Sequence, residues 1–305
     1  MSFKIFLKNL IIAGRPKQWT KNFLVFPAVF FSEAYNSDIW LLAIITFICF
    51  CFISSSIYFL NDSLDVEEDK KHPTKKYRVI ASGKISIRAA RLISVLLASL
   101  SLLLTLLFSI KLTLVLLLYA TVQILYCFIL KKIPLLDIFC IASGFLIRSI
   151  SVGLASTLFI SPWFVLTVGQ LSLFLAIEKR KAELLIYKSK NKIPMRKVLK
   201  RYSYPLLLRL ESLVATGTFI CYSLWASGPQ LNGASSSKML LTVPFVLAGI
   251  FRYQLLSDPD EIKRRNNQSN TISTEKPEDV LLNDKGVRII VFGWIIVTAL
   301  IRITS

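Results

Sequence analysis

Hydrophobic stretches of about twenty residues recur along the whole chain, and they limit what it can fold into more than any other feature. Apolar residues make up 54% of the 305. Each stretch has the length of a helix that crosses a bilayer, and in lipid the backbone polar groups are satisfied only within helices or closed barrels. We therefore predict an all-α, polytopic integral membrane bundle that forms one transmembrane domain over residues 1–305. The nine predicted spans are 20–34, 38–60, 89–110, 112–130, 135–156, 160–177, 204–226, 238–256 and 287–304.

Positive charge is distributed unevenly between the two sides of the predicted bundle. With nine spans, 31 of the 37 Lys and Arg residues fall on the side that carries the N-terminus. Segments rich in Lys and Arg stay in the cytoplasm, so this asymmetry predicts a cytoplasmic N-terminus and an external C-terminus in the cell membrane. Because the net charge of +19 follows the membrane rim, it indicates contact with the lipid bilayer and with phosphorylated substrates, and not with nucleic acid.

Four polar or amphipathic segments lie on the predicted cytoplasmic side. Residues 1–19 do not resemble a signal peptide, because Lys4 and Lys8 interrupt the apolar run, and we predict an interfacial amphipathic helix there. The other three are long loops, in which we expect the active site: 61–88, 178–203 and 257–285.

Five acidic residues follow the second hydrophobic stretch in the segment NDSLDVEED, residues 61–69. On a helix, spacings of three and four place Asp62, Asp65 and Asp69 on one face. Carboxylates packed in this way repel one another unless a cation neutralises them, and Mg²⁺ usually takes one or two carboxylates together with phosphate oxygens. The spacing therefore predicts a Mg²⁺–diphosphate site at the membrane surface, with Asn61 beside it. The alternative is a solvated acidic helix end.

A basic loop follows the acidic segment directly, in HPTKKYRVIASGK at residues 72–84. Lys75, Lys76 and Arg78 lie within four residues of one another. Cations that face metal-bound carboxylates form a plausible clamp for a diphosphate. The alternative is positive charge that sets the membrane topology and has no further role.

More basic residues lie before the first stretch and after the sixth. Arg15, Lys17 and Lys21 are either topology determinants or ligands of a phosphate at the lipid boundary. After the sixth stretch comes EKRKAEL, residues 178–184.

Two interpretations of this second charged segment stay open. Lys179 and Glu183 are four residues apart and could simply pair along the helix. Alternatively, Arg180 and Glu183 stand at the mouth of the same cavity as the acidic segment. Arg148 lies deep in the fifth stretch, where an ionisable residue usually faces a cavity or a partner.

Four segments together resemble a known family. They are RPKQWTKNFLVFPAVFF, YFLNDSLDVEEDKKHPTKKYRVIASGKI, PLLDIFCIASGFLIRSISVG and EKRKAEL. They resemble the UbiA superfamily of intramembrane prenyltransferases, and more narrowly its branch of decaprenyl-phosphate phosphoribosyltransferases. Two positions depart from that branch: Lys76 stands where Arg is expected, and Val79 where Pro is expected.

The resemblance implies a fold of nine helices around a cavity open to the cytoplasm and to lipid. It also implies transfer of a phosphoribosyl group from phosphoribosyl pyrophosphate to a polyprenyl phosphate of the decaprenyl type, with release of diphosphate. Mg²⁺ would be held by Asp62, Asp65 and Asp69, and Glu183 would bind the ribose hydroxyls. The implied substrate-binding residues are Lys75, Lys76 and Arg78 for the donor, Arg15, Lys17 and Lys21 for the acceptor, and also Asn61, Arg148, Lys179 and Arg180. The sequence leaves the oligomeric state open, a homo-oligomer included.

Two other functions are compatible with parts of the pattern. A UbiA-type transferase could move a prenyl group from prenyl diphosphate to an aromatic acceptor, but a second aspartate-rich motif would then follow the sixth stretch, where Glu178 and Glu183 stand among cations. A cation-coupled transporter would show inverted repeats and ionisable groups at the midplane. Here the charges gather at one rim, with Arg148 as the main exception.

Overall fold

The structure is a computed structural model that describes residues 3–32, 36–72, 74–189, 197–267, 274 and 277–304. Parts of two predicted loops, 190–196 and 268–273, therefore lie outside the described residues, as does Pro73. Every regular element in the described part is a helix. The chain divides into two compact units, the first made of Met1–Cys140 and Ile147–Leu158, the second of Ile141–Leu146, Phe159–Asn191 and Lys197–Ser305.

The all-α membrane fold is confirmed. Within the described residues, seven helical segments are long and apolar enough to cross a membrane. They are Ser37–Leu64, Ile87–Phe108, Ile110–Phe128, Leu136–Ala155, Tyr204–Ala226, Ser237–Leu256 and Lys285–Thr304. The count of nine spans and the single domain stay predictions.

The other two predicted spans look different from simple apolar helices. In the described part of the segment predicted at 20–34, the 3₁₀ helix Pro16–Val25 is followed by a short α-helix, Phe26–Phe31. Pro27 lacks a backbone N–H and fits only the first turn of a helix, so the α-helix begins one residue before it, at Phe26, and does not continue from further upstream. The segment predicted at 160–177 begins a 28-residue helix that runs on through the charged residues to Ser189.

The first unit contains seven α-helices within the described residues. They are α1 (Phe3–Gly14), α2 (Phe26–Phe31), α3 (Ser37–Leu64), α4 (Val66–Lys71), α5 (Ile87–Phe108), α6 (Ile110–Phe128) and α7 (Leu136–Ala155, partly in the second unit). Polar N-cap side chains start three of the long helices: the oxygens of Asn36, Ser86 and Ser109 accept hydrogen bonds from backbone N–H groups two or three residues on.

Small polar residues hold α3 against α5. The Oγ atoms of Ser56 and Ser94 are 3.1 Å apart, and Ser101 Oγ donates to the carbonyl of Cys49 at 2.9 Å. In lipid there is little hydrophobic drive between helices, so close approach and interhelical hydrogen bonds of this kind stabilise their pairing.

An apolar cluster anchors the loop that follows the acidic segment. Val79, Ile80 and Ile85 are buried with Phe59 of α3. Gly83 has φ of +77°, which glycine adopts without strain, and Lys84 N–H donates to the carbonyl of Val79 at 3.0 Å. The resulting turn fixes the chain on both sides of Ser82 and holds Arg78 close to the end of α3.

The second unit contains six α-helices within the described residues. They are α8 (Pro162–Ser189), α9 (Tyr204–Ala226), α10 (Val243–Leu256), α11 (Pro259–Asn267), α12 (Pro277–Asn283) and α13 (Lys285–Thr304). The helix α8 packs along α9, and α10 packs on α13. The predicted loops are thus partly helical: α8 extends to Ser189 inside 178–203, and α11 and α12 lie inside 257–285.

Candidate active site

The acidic segment does not lie on one continuous α-helix, so the prediction of a single helical face needs correction. The helix α3 ends at Leu64, Asp65 stands at the junction with φ of −93° and ψ of 8°, and α4 begins at Val66. The backbone still coils across the junction, because Asp69 N–H donates to the carbonyl of Asp65 at 2.8 Å. The three aspartates remain neighbours, but each has its own set of basic partners.

Arg78 joins two of the aspartates. Its Nη1 lies 2.7 Å from Asp69 Oδ2 and 3.1 Å from Asp62 Oδ1. Both carboxylates are buried, whereas the Arg78 side chain is 25% exposed. Burial raises the pKa of Asp69 above its ordinary value, although the Arg78 guanidinium beside it acts in the opposite direction.

Arg15 holds Asp62 from the other side. Its Nη2 lies 2.6 and 2.7 Å from the two carboxylate oxygens, and the guanidinium stacks 4.7 Å from the centre of the Tyr58 ring. Arg15 has φ of +54°, an unfavourable conformation for a residue that precedes proline. Its place in the sequence groups Arg15 with Lys17 and Lys21, but its side chain contacts the acidic segment.

Ser55 fixes the backbone around this strained residue. Its Oγ donates to the carbonyl of Gly14 at 2.9 Å, and Trp19 Nε1 donates to the same Oγ at 3.0 Å. Ser55 of α3 therefore contacts both the end of α1 and the start of the 3₁₀ helix Pro16–Val25. Arg15 lies between these two helices in the chain, and its side chain projects towards Asp62.

Lys131 is the third basic partner, and it was not predicted from the sequence. Its Nζ lies 2.6 Å from Asp65 Oδ1 and 3.4 Å from Asn61 Oδ1. It belongs to the short 3₁₀ helix Leu130–Lys132 that follows α6. The only signal in the sequence was a pair of lysines at the end of the fourth stretch, which is also what topology alone requires.

The donor set of the acidic segment fits a divalent metal that binds together with an anionic substrate. In the described part of the chain, no three His, Cys, Asp or Glu side chains converge closely enough to hold a metal by themselves. Mg²⁺ does not need such a cage, because it usually takes one or two carboxylates and completes its shell with water or phosphate oxygens. Asp62, Asp65 and Asp69 supply such carboxylates, and their basic partners are suited to phosphate.

The other predicted phosphate-binding residues, Lys17, Lys21, Lys75 and Lys76, differ in exposure. Lys75 acts electrostatically on Asp69, and Lys76 is exposed, with its ammonium 5.1 Å from the centre of the Tyr77 ring. Lys17 is exposed and Lys21 is half-buried, both on the 3₁₀ helix Pro16–Val25.

Arg148 lies in the core of the first unit. Its Nε donates to Asn22 Oδ1 at 2.7 Å and its Nη2 to the Tyr119 hydroxyl at 2.6 Å. The guanidinium also stacks 5.5 Å from the centre of the Phe50 ring. Arg148 thus connects α7 with α6 and with the segment that follows Arg15, and its predicted contact with substrate stays a prediction.

In the second unit, α8 carries the predicted charged segment. Arg180 Nη1 lies 2.5 Å from Glu183 Oε2, and the predicted position of these two residues at the mouth of the cavity stays a prediction. Arg180 is fully buried and Lys179 is half-buried. Beside them, Lys181 pairs with Glu178 and with Glu211 of α9, and no role of Lys181 or Glu211 was predicted from the sequence.

Comparison with known proteins gives a consistent result over almost the whole chain. Residues 22–271 match the model of the UbiA prenyltransferase family. A decaprenyl-phosphate phosphoribosyltransferase of Mycolicibacterium smegmatis is 36% identical over 305 residues, covering 96% of this chain and 92% of that protein. One of Corynebacterium glutamicum is 33% identical over 294 residues, covering 94% of this chain and 84% of that protein.

Solved structures share the fold. The structure of a UbiA homolog from Archaeoglobus fulgidus bound to GPP and Mg²⁺ superposes with a TM-score of 0.65 at 17% sequence identity, covering 96% of each chain. The helical architecture, the acidic segment with its basic partners and the sequence matches agree: this chain belongs to the UbiA prenyltransferase family.

Proposed function

We propose that this protein transfers the 5-phosphoribosyl group of phosphoribosyl pyrophosphate to a polyprenyl phosphate, with release of diphosphate. The identity to decaprenyl-phosphate phosphoribosyltransferases over nearly the full length of both chains supports this transferase activity. The observation that carries the proposal in the structure is the cluster in which three buried or half-buried aspartates are each paired with a cation.

The pairing explains how the cluster would bind the donor. In this structure, the three carboxylates are neutralised by Arg15, Arg78 and Lys131. A diphosphate brings negative charge that these cations can bind instead, and guanidinium groups match phosphate oxygens in pairs. The carboxylates would then be released to hold a divalent metal, so donor and metal are expected to bind together.

The same groups would stabilise the departure of diphosphate. As the bond between ribose C1 and the diphosphate oxygen breaks, negative charge grows on that oxygen and C1 becomes oxocarbenium-like. Preorganised cations at the oxygen lower the barrier, and Arg78 and Lys131 are placed on the carboxylates that would face it. A Mg²⁺ ion held by Asp62, Asp65 and Asp69 would supply further positive charge to the leaving group.

The acceptor requires positioning more than activation. The phosphate of a polyprenyl phosphate is already anionic, so no general base is needed to make it a nucleophile. We assign this phosphate to Lys17 and Lys21, which lie at the predicted lipid boundary. In the second unit, Glu183 would accept hydrogen bonds from the ribose hydroxyls, and Arg180, which pairs with it, would orient it.

The protein is an integral membrane protein, and we propose that its N-terminus and acidic segment face the cytoplasm. The asymmetry of Lys and Arg supports this orientation. Ser82 and Ser235 are both exposed and suit a labelling test. In a background without native cysteines, Ser82→Cys should react only with reagents that reach the cytoplasm, and Ser235→Cys only from outside. Labelling of both from the same side would refute the orientation.

The proposed reaction is tested by offering the protein two alternative pairs of donor and acceptor. Purified protein in liposomes is incubated with Mg²⁺ and one of these pairs. The first pair is phosphoribosyl pyrophosphate and polyprenyl phosphate, and the second is a prenyl diphosphate and 4-hydroxybenzoate. We expect only the first pair to react, because a pocket built for sugar hydroxyls leaves polar groups unpaired against an apolar donor. Prenylation of the aromatic acceptor without ribose transfer would overturn the proposal.

A further inference from the structure

A buried cluster of three ionisable residues joins α8 to α9 in the second unit. Glu178, Lys181 and Glu211 are 0, 2 and 3% exposed. Lys181 Nζ donates to Glu178 Oε1 at 2.6 Å and also pairs with Glu211 Oε2. The two carboxyl groups therefore contact the same ammonium nitrogen.

The charges of this cluster do not balance if all three groups are ionised. Two carboxylates and one ammonium leave one net negative charge, which is costly away from water. Glu178 Oε2 is buried without a hydrogen-bond partner among the described residues. A proton on Glu178 Oε2 would correct both problems. It would remove the excess negative charge, and it would give this oxygen a hydrogen to donate to the second carboxyl group.

The phenols beside the cluster bring no compensating positive charge. The cluster acts electrostatically on Tyr204 of α9 and Tyr253 of α10, and phenols are neutral near pH 7. Asp258, which follows α10 and acts on Tyr204, is an acid and brings no positive charge either. The rings of Phe174 and Tyr253 pack edge to face, with their centres 5.7 Å apart.

We propose that Glu178 carries a proton in the folded protein, with its Oε2–H donating to the Glu211 carboxylate while its Oε1 accepts from Lys181. The cluster is then neutral, and every polar atom that we have named has a partner. The site is a buried acid–carboxylate pair that holds one proton near neutral pH. Burial in the second unit raises the pKa of Glu178, which follows the predicted sixth span, to about 8 and so supports this protonation.

The cluster has a consequence for the substrate site, which rests on the proposed function. Lys181 lies between Arg180 and Glu183 on α8, so the neutral cluster holds the helix turn that carries them against α9. Loss of the proton would leave a buried negative charge that loosens this packing. Glu178, Lys181 and Glu211 are thus positioning residues for Arg180 and Glu183, and deprotonation should weaken donor binding, seen as a rise in KM with a smaller change in kcat.

The sign of the pH effect on stability follows from the raised pKa. A carboxyl group whose pKa is higher in the folded than in the unfolded state contributes most at low pH. Its contribution falls as the pH rises from the ordinary value of 4.5 to about 8, and stays low above that. Replacement by glutamine removes this dependence, because the amide is neutral at every pH and can make the same two hydrogen bonds.

The test compares the wild type with Glu178→Gln and Glu211→Gln, because each variant keeps one carboxylate to balance Lys181. We expect the stability of the wild type to decline from pH 5 to 8 relative to both variants. We also expect the KM for phosphoribosyl pyrophosphate to rise near pH 8 in the wild type and to stay level in the variants. Glu261→Gln, a change of carboxylate outside the cluster, should follow the wild type. In the infrared spectrum, the carbonyl band of a protonated carboxylic acid should be present at pH 6 and absent from either variant.

The proposal is overturned if the stability of wild type and variants changes with pH in parallel. It is also overturned if the infrared difference spectrum between wild type and variants lacks the carboxylic acid band. The infrared titration of wild type alone decides the matter if both variants fail to fold. Stability and infrared readings use no substrate, so they stand even if phosphoribosyl pyrophosphate is not the donor. Conversely, if ribose transfer is observed but the stability and infrared readings do not differ between wild type and variants, only the proposal of the buried proton is refuted.

Discussion

Arg78 gives the sharpest prediction about the acidic segment, because it bridges two buried carboxylates. Removing one partner of a buried ion pair typically costs about 3–5 kcal/mol. Arg78 is partly exposed, and Arg15 still neutralises Asp62, so for Arg78→Met without added metal we expect a loss of about 2 kcal/mol. The loss should be visible as a lower Tm at a fixed scan rate.

The same change should strengthen binding of Mg²⁺ when no donor is present. In the wild type the metal must displace Arg78 from Asp62 and Asp69, and in the variant it need not. If about 2 kcal/mol of competition is removed, the Kd for Mg²⁺ alone should fall by up to about thirty-fold. Ligands that bind only the folded state raise Tm according to their concentration relative to Kd, so a Mg²⁺ titration of Tm measures the change.

A matched control separates this effect from a general loss of positive charge. Arg88→Met removes an exposed arginine at the start of α5 in the same unit and should leave both Tm and its Mg²⁺ dependence unchanged. Equal Mg²⁺ midpoints for Arg78→Met and the wild type would refute the idea that Arg78 and the metal compete for the same carboxylates.

Three further changes have defined outcomes. Asp62→Asn should abolish ribose transfer while the protein stays folded in the membrane, because a metal ligand is lost, as measured by product formation and Tm. Lys131→Met should leave Asp65 without its cation and lower kcat more than it raises the KM for the donor, because Lys131 would stabilise the leaving diphosphate, as measured by steady-state kinetics. Asp284→Asn should cost about 1 kcal/mol at pH 7. Burial acts to raise the pKa of Asp284, but hydrogen bonds from Arg252 and a backbone N–H lower it overall. The difference from wild type in Tm should therefore shrink as the pH falls through this lowered pKa.

The membrane-spanning helices could be predicted from the sequence because their signal is local. A run of apolar residues about twenty long specifies a spanning helix wherever it occurs. The segment 20–34 shows the limit of this signal: hydropathy counts its residues equally, but Pro27 restricts where an α-helix can begin. Likewise, charged residues after 177 marked the end of a span but not the end of α8.

The partners of the acidic segment could be predicted only in part. Arg78 is close in sequence to Asp69, and the basic loop suggested their contact. Arg15 and Asp62 are 47 residues apart, and Lys131 and Asp65 are 66 apart. No local spacing encodes such pairs, because they depend on how α1, α3 and α6 pack.

The buried cluster of the second unit was hidden for a different reason. Lys181 lies in a run of cations that topology explains well, so nothing in the sequence set it apart from its neighbours. Glu211 lies inside an apolar span, where an ionisable residue calls for a partner, but the sequence does not name that partner. Only the packing of α8 on α9 shows that they neutralise each other.

Transfer of labelled ribose to lipid tests the central claim most directly. Purified protein in liposomes is incubated with Mg²⁺, polyprenyl phosphate and phosphoribosyl pyrophosphate labelled in the ribose, and the lipid phase and diphosphate are both measured. We expect one diphosphate for each labelled lipid with wild type, and neither product with Asp62→Asn or after chelation of the metal. Diphosphate release without label in the lipid, or undiminished transfer by Asp62→Asn, would contradict the account.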